Sequence, residues 1–229
     1  MKRGLKIVFV GVCIGLVLGV LKGVFQIDDD VFNRWYWIIA VAVVLGAVLV
    51  NVLYNISYQR KMKKLIPLLE EQKPREYVAG VERLLETAKG ENLRKILNMN
   101  LAAGYIDLKQ FDKAAELLEG ISEKGLVGST VKTVYRLNLC TCYFQSARGE
   151  EALELYHDSQ KIFEPQRSGK LYGGNITILD MLAAIQSKEY AQAERLLDQA
   201  RQTWSAPRFQ EAFREIEDTL TEIKKEKNP

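Results

Sequence analysis

Apolar positions along this chain change their pattern once, near Tyr54. Before it, residues 7–25 and 35–54 form two nearly unbroken apolar stretches. Beyond it, apolar residues recur every three or four positions with charged residues between them, the spacing of helices that bury one face. A bilayer core of about 30 Å takes roughly 20 apolar residues at about 1.5 Å rise each, so either stretch is long enough to cross one. Stretch 35–54 has no formal charge, and it carries Trp35, Tyr36 and Trp37 at one end and Tyr54 at the other. Such rings favour the two membrane interfaces. Stretch 7–25 has Lys22 near its far end, where a lysine sends its ammonium to the headgroups while its methylenes stay in lipid. The pattern predicts an all-α chain. Two N-terminal transmembrane helices occupy 1–54, a basic juxtamembrane segment 55–64, and a helical domain 65–229.

A cleaved signal peptide is the rival reading of the first stretch, which has a basic start in Lys2, Arg3 and Lys6. The segment Leu21, Lys22, Gly23, Val24, Phe25 offers no small-x-small cleavage site, and Val12 before Cys13 does not suit lipidation. An uncleaved anchor is the expectation. Charge then orients it. Lys2, Arg3 and Lys6 precede the first stretch, and Arg60, Lys61, Lys63 and Lys64 follow the second. The link between the stretches holds Asp28, Asp29 and Asp30 against Arg34. Basic excess marks the cytoplasmic side, so both termini are expected in the cytoplasm and the acidic link outside. The basic ends and plain hairpin suggest a bacterial plasma membrane.

Gly11, Gly15, Gly19 and Gly23 recur every fourth residue of the first stretch. On a helix that spacing makes one smooth stripe where another backbone can approach closely. Packing against the small residues Ala40, Ala42, Gly46 and Ala47 of the second stretch is one expectation; a homo-oligomer built on the stripe is the other.

Composition narrows the chemistry further. A net charge of +3 from mixed charges does not call for nucleic acid. One histidine, His157, and the pair Cys140 and Cys142 are too few donors for a metal site, and the two cysteines point to different sides of one helix. No phosphate-binding glycine pattern follows a strand, and the carboxylates, such as Glu150 and Glu151, fall on charged helix faces. No enzyme activity, cofactor or metal is expected.

The domain is self-similar. Leu101, Ala102, Tyr105, Phe111, Ala114, Leu118 and Ile121 share a spacing with Leu139, Cys140, Tyr143, Gly149, Ala152, Tyr156 and Ser159. Met181, Ala184, Tyr190, Ala193, Leu197 and Ala200 continue it, and Tyr77, Gly80 and Leu84 echo its second half upstream. From Gly80 to Ala114 is 34 residues. In each unit a small residue lets the second helix approach the first, and the helix-period residues around it supply the stripe a neighbour buries. This spacing resembles the tetratricopeptide repeat (TPR) family. The match carries insertions, since Ala114 to Ala152 is 38 residues and Ala152 to Ala193 is 41. Gly149 stands where the family has an aromatic residue, and Ala184 where it has a tyrosine.

The resemblance implies an α-solenoid of three to four antiparallel helix pairs, closed by an amphipathic capping helix over 208–225. It also implies a binding scaffold whose groove is lined by the first helix of each pair. Here that lining would be Met99, Ala103 and Ile106, then Leu137, Thr141 and Phe144, then Ile178, Leu182 and Ile185, with Asp107, Gln145 and Gln186 at its ends. The set is mostly apolar, so the implied partner is a protein segment, an apolar or amphipathic helix or extended peptide. A groove filled by the chain's own end helix, or by the glycine-rich insertion over 166–174, is the competing expectation.

Overall fold

The computed structural model describes Gly11 and residues 15–20, 22–26 and 28–227. Among these residues the chain is all-helical, with no strand. It divides into two compact units, Met1–Gln59 and Arg60–Pro229.

The first unit holds α1 (Gly15–Phe25) and most of α2 (Asp29–Glu70). The Asp28 carboxylate accepts the N–H of Asp30 at 2.9 Å, and Asp29 and Asp30 place negative charge at the start of α2, where the helix dipole favours it. Among the described residues α2 is the one helix long and apolar enough to cross a membrane, and none of its apolar window is buried. It contains the expected stretch 35–54. α2 continues without a break through the basic segment 55–64. Positions 7–10, 12–14 and 21 of the other apolar stretch, Cys13 included, lie outside the described residues. Lys22 reaches out of α1 to an ion pair with Asp29, its ammonium 5.2 Å from the centre of the Phe32 ring.

The second unit begins with residues 60–70 of α2. It continues through α3 (Pro74–Thr87), α4 (Glu91–Asp107), α5 (Phe111–Glu119), α6 (Ser129–Gln145), α7 (Gly149–Phe163), α8 (Gly173–Gln186), α9 (Tyr190–Thr203) and α10 (Pro207–Lys227). Successive helices from α3 onward pack on one another, and α4, α6, α8 and α10 also touch in a row. Side-chain bonds link α3 to α4: Tyr77 donates to Asn100 at 3.3 Å, and Tyr105 to Glu82 at 3.0 Å.

Three of the chain reversals share one backbone solution. Gln72, Lys109 and Lys188 adopt φ of 58°, 56° and 63°, the left-handed region that glycine enters most easily. At each, the next residue donates back five positions, from Lys73 to Leu68, Gln110 to Tyr105 and Glu189 to Ala184, at 2.7, 2.8 and 2.8 Å. Each left-handed residue also donates back three positions, to Leu69, Ile106 and Ile185. This paired closure satisfies carbonyls that a helix end leaves open. The same turn after α2, α4 and α8 is a repeat in the backbone itself, independent of side-chain spacing.

The small residues singled out by their spacing sit where close packing needs them. Ala114, Ala152 and Ala193 are all 0 % exposed. Around Ala114, Met99, Ala102, Leu118, Tyr135 and Leu139 fill the space among α4, α5 and α6. Leu137, Cys140, Phe163, Ile176 and Leu179 join α6, α7 and α8. Met181, Leu197, Phe209, Phe213, Ile216 and Leu220 join α8 and α9 to α10. Fully burying side chains such as Leu118 or Phe213 contributes about 1.5–3 kcal/mol each. Gly104 lets α4 pack tightly on α3: a Cβ there would lie 2.7 Å from Val78 Cγ2 and 2.8 Å from Tyr77 Cδ1.

Candidate binding cleft

The expected groove residues separate into two groups. Met99 and Leu137 are not groove residues: each is buried in a core between helices. Periodicity places them on a helix face, but α4 and α6 are packed on more than one side, and that face turns inward. Ala103, Ile106 and Thr141 are half-buried on α4 and α6, and the Thr141 hydroxyl donates to the Leu137 carbonyl at 2.9 Å.

Phe144, Ile178, Leu182 and Ile185 do come together. They line a cleft of about 210 Å³ between the end of α6, one face of α8 and the middle of α10. Gln145 and Gln186 edge it, and α10 supplies Ala212, Glu215, Ile216 and Thr219. Behind it, the Phe144 ring meets Tyr156 edge-on with centroids 6.3 Å apart. The Tyr156 hydroxyl donates to Asp180 at 2.6 Å, and Arg167 also pairs with Asp180. Burial, then the bond to Asp180, pushes the Tyr156 phenol up to about 12, so the ring keeps its proton and its donor role.

The end helix therefore takes part in the groove, as one wall. Its acidic side turns toward the reversal between α4 and α5. Lys109, in the reversal between α4 and α5, places Nζ 2.5 Å from Glu215 and 3.0 Å from Glu211. Those two bonds, Glu215 first, hold the lysine above its usual range. Asp107 is exposed by area, yet protein atoms crowd its carboxyl, and that crowding first, then Glu211, raises it. One lysine thus stands among three carboxylates at this edge, leaving the edge net acidic.

The contact of Lys109 with the end helix has no signal in the sequence, because 106 positions separate it from Glu215. Gly149 finds its explanation here. A Cβ on it would come within 2.1 Å of the Gln186 amide, so Gln186 fills the place an aromatic side chain would need.

Cys140 and Cys142 enter different cores, Cys140 with α7 and α8, Cys142 with α4 and α5. Both are free thiols pushed up to about 12 by burial. His157 is exposed beside the Tyr156 ring, 5.4 Å away. In the first unit, a Cβ on Gly11, Gly15, Gly19 or Gly23 would meet no described atom within 4 Å.

Set against known proteins, the chain matches no protein-family model, and no curated protein matches it.

Proposed function

We propose that this protein is a membrane-anchored, TPR-like adaptor that holds a protein partner at the cytoplasmic face of the membrane. Two transmembrane helices anchor it, both termini are cytoplasmic, and the setting is a bacterial plasma membrane; these readings rest on the apolar lengths and the basic flanks. The observation that carries the binding role is the cleft where Phe144, Ile178, Leu182 and Ile185 remain partly open to solvent. An apolar floor beside an acidic edge suits one amphipathic segment: apolar side chains against Leu182 and Ile185, a basic side chain toward Glu215. The protein acts by binding and not by catalysis.

The test is recovery from mild-detergent membranes of partners held by the full-length chain, compared with the chain carrying Phe144→Glu and Leu182→Glu. Circular dichroism must show both folded. A membrane protein held only by the unaltered cleft supports the adaptor; equal recovery by both forms overturns it.

A second reading, an oligomeric channel or membrane-remodelling protein assembled through the first apolar stretch, takes its support from the open glycine stripe. Cross-linking in membranes tests it. A strictly monomeric product removes it.

A further inference from the structure

Helix alternation sorts the connections of the second unit into two sets. Residues 60–70 of α2 run antiparallel to α3, with Leu65 against Gly80, so Arg60 lies at the end of the stack where α3 stops. The connections 88–90, 120–128, 164–172 and 204–206 belong to that end; the reversals at Gln72, Lys109 and Lys188 belong to the other.

The two long connections at the Arg60 end are built alike. In the first, Glu123 accepts a two-pronged bond from Arg136, Nε at 2.8 Å and Nη2 at 2.7 Å. Leu126 is buried, and Gly128, at φ 97°, turns the chain so that the intervening Val127 is 85 % exposed. In the second, Arg167 bonds Glu164 at 2.8 Å and Gln160 at 2.5 Å and also pairs with Asp180, and Leu171 beyond it is 66 % exposed. These are the two most exposed large apolar side chains described in the unit. Each has a lysine close by, Lys124 or Lys170, that forms no ion pair among the described residues.

Single exposed aliphatic residues are ordinary, and one alone would carry nothing. Two of them differ: each stands on a loop braced by an arginine fork, each is near an unpaired lysine, and both lie at one end of the stack. Bracing means the tips lose little freedom when something receives them. We propose that Val127 and Leu171, with Lys124 and Lys170, rest in the headgroup layer of an anionic bilayer. Such a layer offers apolar depth beneath negative charge at every lateral position, so separate tips need no matching pockets. The tether makes it available. Arg60 is six residues from Tyr54 along the chain, about 20 Å at full extension. The inference rests on the anchored reading above.

Depth measurement tests it on the full-length chain, in a Cys13→Ser background that keeps the buried Cys140 and Cys142. Nitroxide labels are placed singly at Val127→Cys, Leu171→Cys, Lys188→Cys at the opposite end, and Leu45→Cys within α2. Vesicles are phosphatidylcholine alone or with one quarter phosphatidylglycerol. The expected result is several-fold protection of positions 127 and 171 from a water-soluble nickel chelate, relative to 188. That protection should appear with phosphatidylglycerol and fall when Lys124→Glu and Lys170→Glu are added. Positions 127 and 171 as open as 188, with 45 lipid-buried, would overturn this inference and leave the anchor standing. Protection equal in uncharged vesicles and in detergent would also overturn it and place protein over the tips. A label at 45 open to the chelate would overturn the anchored reading and this inference together.

Discussion

Lys109 and Glu215 lie 106 residues apart along the chain and 2.5 Å apart in space. Their contact joins the reversal between α4 and α5 to the last helix, whose Glu215 lines the cleft. Both side chains are about half exposed, so the pair contributes little to global stability, about 0–1 kcal/mol before salt screening. Its effect is local. Lys109→Glu should leave the unfolding midpoint nearly unchanged while amide exchange over 207–220 speeds up, and added salt should bring the unaltered protein toward the variant. Unchanged exchange in α10 would show that its apolar face alone holds it.

Gly104→Ala sets two effects against each other. Alanine gains about 1 kcal/mol of helix propensity over glycine. Its methyl would press on Val78 and on the Tyr77 ring, both buried and neither free to move aside. Overpacking of this kind costs about 1–3 kcal/mol, so net destabilisation is expected. Gly120→Ala is the comparison, since a Cβ there makes only ordinary contacts, at 3.5 Å and beyond. It should be neutral or slightly stabilising in the same thermal melt.

Lys188→Gly should stabilise the protein. At φ 63° a lysine carries steric strain that glycine lacks, of the order of 1 kcal/mol. The backbone bonds of the turn do not depend on its side chain. A melting temperature raised by a few degrees is expected, and a lowered one would mean that the lysine side chain has a structural role.

Cys140 and Cys142 should resist alkylation in the folded protein at pH 8 and react once it is unfolded. Their thiols are raised from an ordinary value of 9.0 to about 12, so the folded state keeps protons that the unfolded chain releases. Stability from this source is therefore intact below pH 9 and falls as pH rises from 9 to 12. Rapid labelling of either cysteine at pH 8 without loss of helicity would contradict the packing described.

Much of the packing was legible in the order of the residues. Ala114, Ala152 and Ala193 recur at positions where only a small side chain lets helices meet, and all three are buried. The split of Cys140 and Cys142 between two cores follows from helical spacing alone. The groove was harder to read. Periodicity shows that Met99 and Phe144 each lie on an apolar face, but not how many neighbours that face has, so it could not separate the buried Met99 from the open Phe144. The amphipathic pattern over 208–225 marks the end helix, but its pairing with Lys109 is a long-range contact with no local signal. The turns at Gln72, Lys109 and Lys188 escaped because none contains glycine, the residue by which such turns are recognised.

Those turns also bear on how the domain can change. A glycine at position 109 would relax the backbone, yet it would have no ammonium with which to reach across to α10. The strain in one left-handed lysine thus keeps a side chain that reaches the last helix from the corner between α4 and α5. Selection for a more rigid protein would favour the glycine; selection for a tethered end helix would keep the lysine. In that sense the corner is a place where firmness and control compete for the same residue.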